Sequence, residues 1–516
     1  MSFRSLVSAA LLVLLAIPGL SAPADDSRLA DAAMKRDTTA VRSLISQHVD
    51  VNAPGNDGTP ALHWIVRVDD LETAKLLIGA GADVKLADRY GVTPLYLACS
   101  NGNAAMIRIL LDAGADPNSA DPTGETALMT AATVGNLESV KVLLDRGAVL
   151  DPRDPAYQQT PLMYAVRENH PDIVRFFVER GTNLNAQTRT GPTPAFFKPN
   201  SSAAFGHGVG ILRGGLPERG SRIPIQGAMT ALLYAARDGR MDIVRILVEG
   251  KADVNLAEAN SIPPLVIAIN NNQIAVARYL IDHGADLNAS DWYGRTPVWS
   301  AVELRNMDIN NATFAHNVNR EGALELLQVM LERGANPNPR TKEVPPIRRH
   351  ILPTTGSLSW VDFTGQTPFI TAALSGDITA MRLLLKHGAD PNITTTQGTT
   401  ALMAAAGVNW VFFQTFDEGP EKLLEVVRFC VELGQDVNAA NSMGLTPIMG
   451  AANRGSDDII QFLLEKGAKL DVKDKEGRTP MNWAEGVFLA TNPAKPKPSS
   501  MDLIKKLMAS STSSAK

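Results

Sequence analysis

The stretch Thr93-Pro-Leu-Tyr-Leu-Ala-Cys-Ser-Asn-Gly102 continues through Met106 to Leu111 and closes with Gly114-Ala-Asp-Pro-Asn118. Thr93 sets a hydroxyl where it can accept a backbone N–H from the first turn of a helix, and Pro94 fits the first helical position, where no donor is needed. Leu95 and Ala98 return at helical spacing, alanine permitting close approach of a neighbour. Gly102 ends this first helix. Ile107, Leu110 and Leu111 form the apolar stripe of a second helix, which stops at Gly114, where glycine tolerates a left-handed backbone. Asp116 to Gly124 then turns back as a projecting finger.

The same phrase restarts at Thr59, Thr93, Thr126, Thr160, Thr230, Pro263, Thr296, Thr367, Thr400, Thr446 and Thr479, mostly in steps of 32 to 34 residues. A period in that range indicates stacked helical repeats. Thr93-Pro-Leu, the alanine after it, the Gly114-Ala-Asp close and Asn118 resemble the ankyrin repeat. That resemblance implies a β-turn and two helices per unit and covers nearly the whole chain after its first two dozen residues. The expected fold is an all-α ankyrin-repeat solenoid of about twelve helix-turn-helix units with β-hairpin fingers. It occupies residues 25–508. Because each unit packs on its neighbours, an array can lengthen without enlarging a globular core, so 516 residues are read as one repeat domain.

Composition is ordinary for a folded soluble protein, with 45% hydrophobic and 20% charged residues and a formal net charge of -5. The mild acidity gives no general attraction to nucleic acid. Arg4, the apolar run Leu6 to Ile17, Pro18-Gly19 and Ala22-Pro23-Ala24 together read as a secretory signal peptide over residues 1–24. The apolar run falls short of the about 20 residues needed to span a bilayer. A buried N-terminal helix is the alternative, which the basic start and the Ala-x-Ala site disfavour. An exported protein, periplasmic or secreted and without a membrane span, is therefore expected. Cys99 and Cys430 lie in units separated by about six others, too far for a disulfide, and are read as buried small apolar residues.

The first unit begins near Ser27 without the opening Thr-Pro, as expected of a terminal repeat. The last begins at Thr479-Pro480, breaks at Asn492 to Pro498, and ends in a capping helix from Met501 to Met508; residues 509–516 are expected to be a disordered tail. Four places break the period. Two fingers are lengthened, within 186–228 by 37 residues and within 339–366 by 21. Two inter-helix segments are lengthened near 306–321 and 408–420, and the aromatics of the latter, Trp410, Phe412, Phe413 and Phe416, are expected to pack back onto the array.

The two finger insertions carry Arg189, Lys198, Arg213, Arg219, Arg222, Arg340, Lys342, Arg348 and Arg349 against Glu218, Glu343 and Asp362, a formal +6. Once Arg4 leaves with the signal peptide, the remaining array is about -12. Such segregation can steer an anionic partner to the fingers or seat each loop on the acidic array. Enzyme signatures are absent: no His-Glu-x-x-His, Cys-x-x-Cys, Gly-x-Ser-x-Gly or Walker loop occurs. Gly206-His-Gly-Val-Gly210 resembles a phosphate cradle but neither follows a strand nor opens a helix. His207 and His350 lack a third ligand for a metal, and His283 and His387 read as helix-terminal residues.

In the ankyrin resemblance, partners are held by finger tips and by the exposed face of the first helices. Here the tips carry Arg89-Tyr90 and Trp292-Tyr293, side chains of the types that dominate binding energies. Their rings could instead pack on neighbouring fingers. The chain is thus expected to be a non-enzymatic binding scaffold, resembling exported bacterial ankyrin-repeat proteins. It would be monomeric, need no cofactor or metal, and hold another protein. The candidate contacts are Tyr90, Trp292, Tyr293, Arg213, Arg219, Arg222, Arg340, Lys342, Arg348 and Arg349. The rival expectations are a binder of an anionic polymer, such as an acidic glycan or nucleic acid, and an enzyme with its site in the insertions.

Overall fold

The computed structural model describes residues 27–191, 227–306, 318–342, 364–410, 417–487 and 495–514, with side chains described to residue 509. Among these residues twenty-four helices follow one another in twelve pairs. The chain divides into two compact blocks, Met1–Val149 and Leu150–Lys516.

The N-terminal block holds α1 (Arg28–Met34), α2 (Thr38–Ser46), α3 (Ala61–Arg67), α4 (Leu71–Gly79), α5 (Pro94–Ser100), α6 (Ala104–Asp112), α7 (Ala127–Val134) and α8 (Leu137–Asp145). The C-terminal block opens with α9 (Pro161–Arg167), α10 (Pro171–Glu179), α11 (Ala231–Asp238), α12 (Met241–Glu249), α13 (Pro264–Asn270), α14 (Ile274–Asp282), α15 (Pro297–Arg305) and α16 (Arg320–Glu332). It continues with α17 (Pro368–Ser375), α18 (Ile378–Lys386), α19 (Ala401–Ala406), α20 (Pro420–Glu432), α21 (Pro447–Arg454), α22 (Asp457–Glu465), α23 (Pro480–Glu485) and α24 (Pro498–Ser514). The final helix is thus longer at both ends than the Met501 to Met508 expected.

The local chemistry follows the sequence reading. Thr93 accepts a hydrogen bond from the Tyr96 N–H at 3.3 Å, and Thr230, Thr296, Thr367 and Thr400 cap their helices in the same way. At the first restart the cap position is Pro60 rather than Thr59, so α3 begins from an extended residue without a side-chain acceptor. Gly102 and Gly114 have φ of +67° and +99°, the left-handed conformation that ends each helix of that pair. Leu95, Ala98, Ile107 and Leu110 are fully buried; truncating a buried leucine of this kind costs about 2 to 5 kcal/mol. Cys99 and Cys430 are buried free thiols, and desolvation pushes both well above the usual thiol range.

Within each block first helices stack on first helices and second helices on second, as α3 on α5 and α5 on α7, or α9 on α11 and α11 on α13. Asparagines at the repeat close join successive pairs. Asn118 donates to Gly147 O at 3.2 Å and accepts from Val149 N at 2.8 Å; Asn338 does the same to Gly388 and Asp390, at 3.0 and 2.8 Å.

The fingers form no named strand among the described residues, only isolated antiparallel bridges at Pro54–Pro60 and Ala120–Thr126. They are too short for a ladder, and a side chain closes them instead. Asp88 N donates to Val92 O, while the Asp88 carboxylate accepts from both Tyr90 N and Val92 N at 2.9 Å. The two interrupted fingers keep this closure. Thr188 N donates to Met229 O at 3.0 Å and its hydroxyl accepts from Met229 N; Thr341 and Gln366 repeat both bonds. Each insertion is therefore spliced between the two tip residues of an otherwise ordinary finger.

One region departs from nearest-neighbour packing. Arg305, at the end of α15, donates through Nε to Asp377 at 2.7 Å, and Asp377 also accepts from Asn306 Nδ2. Glu418 lies 4.0 Å from the same guanidinium, and its N–H donates to Ser375 O. Arg454 on α21 reaches past α19 to Leu374 O at 3.4 Å and stacks over Trp410 at 5.3 Å. This reach depends on small residues: Ala404, Ala405 and Ala406 form the end of α19, and a Cβ added at Gly407 would fall 2.5 Å from Gly450 O. Burial pushes the Arg454 guanidinium down to about 10. Trp410 thus packs onto the array as expected of that insertion, while Phe412, Phe413 and Phe416 lie outside the described residues.

Candidate partner-binding surface

The large apolar side chains that remain exposed include only three aromatic residues among those described: Tyr90 at 61%, Tyr157 at 66% and Trp292 at 44%. All three sit at finger tips. Arg89 lies over the Tyr90 ring at 4.6 Å and hydrogen-bonds the Tyr90 hydroxyl, so this tip presents a guanidinium and a phenol as one unit. Trp292 projects from the finger closed by Asp291, a buried carboxylate that accepts from Arg295 Nε at 2.7 Å. Tyr293 beside it is half-buried beneath the Arg295 guanidinium, 5.3 Å from its ring centre.

The tips are joined through their backbones. In the C-terminal block, Trp292 N donates to Asn260 O at 3.0 Å, Lys342 N to Tyr293 O at 2.7 Å and Thr396 N to Thr364 O at 2.8 Å. The first insertion is flanked by the same rungs, Arg189 N to Tyr157 O and Ala259 N to Gly227 O. Arg340 and Lys342 are both exposed at the root of the second insertion. Arg340 braces that root, its Nη2 donating to Thr394 O at 2.8 Å and its Nε to Gly365 O at 3.3 Å. Arg213, Arg219, Arg222, Arg348 and Arg349 lie outside the described residues, as do His207, His350 and the glycine-rich Gly206 to Gly210.

The structure adds residues that the sequence reading passed over. Tyr164 on α9 and Tyr234 on α11 face the same side as the fingers. Each has an arginine one helical turn later over its ring, Arg167 at 5.9 Å and Arg237 at 5.2 Å. Gln159 links the two helices, donating from Nε2 to the Tyr234 hydroxyl at 3.0 Å and accepting from Arg167 Nη1 at 3.1 Å. Aligning the repeats would have exposed this pattern, since Tyr164 and Tyr234 both fall four residues after the capping threonine and the two arginines seven after it.

A pocket among the described residues is of a different kind. A groove of 360 Å³ between α10 and α12 is lined by Asp172, Arg175, Asp242, Arg245 and Glu249, with Pro171 and Ile246. These charges of both signs include no nucleophile or histidine. Among the described residues no group of three or more metal-ligating side chains occurs, and no helix is long and apolar enough to cross a membrane. His283 donates from Nδ1 to Tyr279 O at 2.7 Å and stacks on that ring, a helix-terminal role of the kind expected.

Comparison with known proteins places this geometry. A family model described as ankyrin repeats (3 copies) matches residues 29–121, 114–188, 232–341, 315–411 and 420–486. Ankyrin repeat and SOCS box protein 16 of Mus musculus is 30% identical over 240 residues, which are 43% of this chain and 47% of that protein. Transient receptor potential cation channel subfamily A member 1 of Homo sapiens is 25% identical over 312 residues, 48% of this chain and 28% of the channel subunit. The chain thus spans less than half the length of these relatives. The crystal structure of the ankyrin repeat domain of Bcl-3 is 27% identical, covering 50% of this chain and 97% of that one, with a TM-score of 0.39. The family match runs over the same capped helix pairs that the structure resolves one by one, and the chain belongs to the ankyrin-repeat family.

Proposed function

We propose that this chain is a non-enzymatic scaffold that holds another protein on the surface made by its fingers and first helices, the concave surface of an ankyrin array. Ankyrin repeats generally serve as protein-binding scaffolds. One observation carries the reading: large aromatic rings remain exposed at finger tips, Tyr90 in the N-terminal block and Tyr157 and Trp292 in the C-terminal block. Tyrosine and tryptophan at such sites offer large contact area at low cost in side-chain freedom, which is why they anchor interfaces.

The proposal extends to location. The basic start, short apolar run and Ala22-Pro23-Ala24 site support export. The working form then begins at Asp25 and acts as a monomer in the periplasm or outside the cell.

The test is affinity capture from the exported fraction of the source cells, with the native chain and a Trp292→Ala/Tyr293→Ala variant as baits, together with the N-terminal sequence of the native protein. Retention of one protein by the native bait and its loss with the variant, at an unchanged melting temperature, is expected. Equal capture by both baits would remove Trp292 from the site, and absence of any captured protein would overturn the scaffold reading.

A further inference from the structure

Four arginines surround the root of the first insertion on the finger side of the C-terminal block: Arg153, Arg167, Arg189 and Arg237, all exposed. They are held in place by acceptors that leave most of their charge uncompensated. Arg153 donates to Gln187 O at 2.7 Å, Arg189 to Pro155 O at 2.8 Å, and Arg167 to the Gln159 side chain. Among the described residues only Arg237 of the four is ion-paired, to Asp238 at 2.7 Å. The other exposed acid close by is Glu168; Asp154 is buried, and its carboxylate is occupied by the Tyr157 and Gln159 N–H groups. Four guanidiniums therefore face two exposed carboxylates, on a chain whose formal charge is -5.

Three of the seven tyrosines lie in the same place: Tyr157 at the tip, with Tyr164 and Tyr234 on the helix floor. The patch is pre-ordered by bonds that cross long stretches of sequence. Gln159 to Tyr234 is one, and Gln187 Nε2 to Ala228 O and Ala257 O, each at 3.1 Å, are two more. A surface whose side chains are already fixed loses little rotamer entropy when a partner arrives. Residues 190–226, which spring from this root, carry a formal charge of +3, so they do not supply the missing negative charge.

We infer that this tyrosine–arginine face of the fifth and sixth repeats binds an acidic segment of the partner protein, with carboxylates on Arg167 and Arg237 and apolar carbons over Tyr164 and Tyr234. The inference rests on the scaffold reading above and adds the partner's chemistry to it. Guanidinium–carboxylate pairing gives directional, charge-assisted bonds, and the tyrosines beside it exclude water from them.

The experiment is fluorescence anisotropy of the purified chain with three labelled probes: a peptide of alternating Glu and Gly, its Gln–Gly counterpart, and an oligothymidylate. The Glu–Gly peptide is expected to bind, the Gln–Gly peptide at least about tenfold more weakly, and added salt to weaken the former. Arg167→Ala/Arg237→Ala is expected to cut Glu–Gly affinity by about tenfold or more, and Arg167→Lys/Arg237→Lys to restore part of it. Circular dichroism of each variant confirms that the repeats remain folded. Equal binding of the Glu and Gln peptides, or an alanine variant that binds like the native chain, overturns the assignment. So does binding of the oligothymidylate alone, which would mark a polyanion surface instead. Capture of the same partner protein by native and alanine baits also overturns the assignment, while leaving the scaffold reading intact.

Discussion

Asp377→Ala should be among the most damaging single changes in the C-terminal block. Asp377 is 1% exposed and holds three groups: its Oδ1 caps α18 by accepting from Ala380 N at 3.1 Å, and its Oδ2 accepts from Arg305 Nε at 2.7 Å and Asn306 Nδ2 at 3.3 Å. Loss of the cap alone costs about 1 kcal/mol. Removing one partner of a buried ion pair costs about 3 to 5 kcal/mol, because the remaining charge is left without compensation. Arg305 keeps the Arg320 carbonyl at 3.1 Å and Glu418 at 4.0 Å, and its side chain is 13% exposed, so the total should settle at the lower end, about 3 to 4 kcal/mol. Asp377→Ser retains an acceptor for the cap and should recover about 1 kcal/mol of this. A long array need not unfold in one step, so the assay is native-state hydrogen exchange of the α17 and α18 amides rather than a single melting curve. Protection should fall there and persist in the Met1–Val149 block. A loss of under about 1 kcal/mol for Asp377→Ala would show that the buried pair is not what secures this region.

Two further outcomes follow from the finger and the helix floor. Deleting residues 190–226 joins Arg189 to Gly227 and restores the six-residue spacing of Asp88 to Thr93, with both flanking rungs retained. Shortening the loop about tenfold should leave the chain as stable or up to about 2 kcal/mol more stable, and a destabilised product in thermal unfolding would refute the splice. His63 is 2% exposed and donates from Nε2 to Val92 O at 3.0 Å, while burial, the largest influence, lowers its pKa from the ordinary 6.5 against smaller opposing pulls from that Val92 hydrogen bond and from Asp88. The folded state therefore favours neutral imidazole. Its contribution is complete above pH 6.5 and is lost as pH falls from there toward the folded value. Protection of the α3 and α5 amides, taken relative to their intrinsic exchange rates, should fall between pH 7 and 5 more in the native chain than in His63→Gln; equal pH dependence in the two would exclude His63 as the cause.

Much of the repeat was legible because each unit repeats the same constraints: a cap at Thr93, a small residue at Ala98, a left-handed turn at Gly114 and an asparagine at Asn118. The surface was less legible. Tyr164 and Tyr234 are seventy residues apart in sequence and become neighbours because the first insertion is spliced out of the stack, leaving α9 against α11. The charge network around Asp377 was harder still. It joins Arg305, Glu418 and Arg454 across repeats that a nearest-neighbour rule keeps apart, and it depends on the small side chains of α19, which the sequence presents merely as helix-forming alanines.

The finger explains why insertions and exposed aromatics fall at equivalent places. Its fold requirements are met by the closing residue, Asp88 or Thr188 or Thr341, by the residue in left-handed conformation before the closing strand position, and by the next capping threonine. The two residues between contribute a backbone donor and a backbone acceptor to the neighbouring fingers, and those bonds are indifferent to side chain. Arg89-Tyr90 and Trp292-Tyr293 occupy these positions, and both insertions leave between the same two, after Arg189 and before Gly227, and after Lys342 and before Thr364. The backbone rungs by themselves therefore do not require a tryptophan there, since an alanine would make the same ones. Ala228 marks the limit of this freedom: it takes the left-handed position held by Gly91 and Gly365 in the other fingers, with φ of +53°, a conformation that costs an L-residue about 1 to 2 kcal/mol. The array tolerates that cost just where the first insertion rejoins it, beside the arginines and tyrosines of the proposed face.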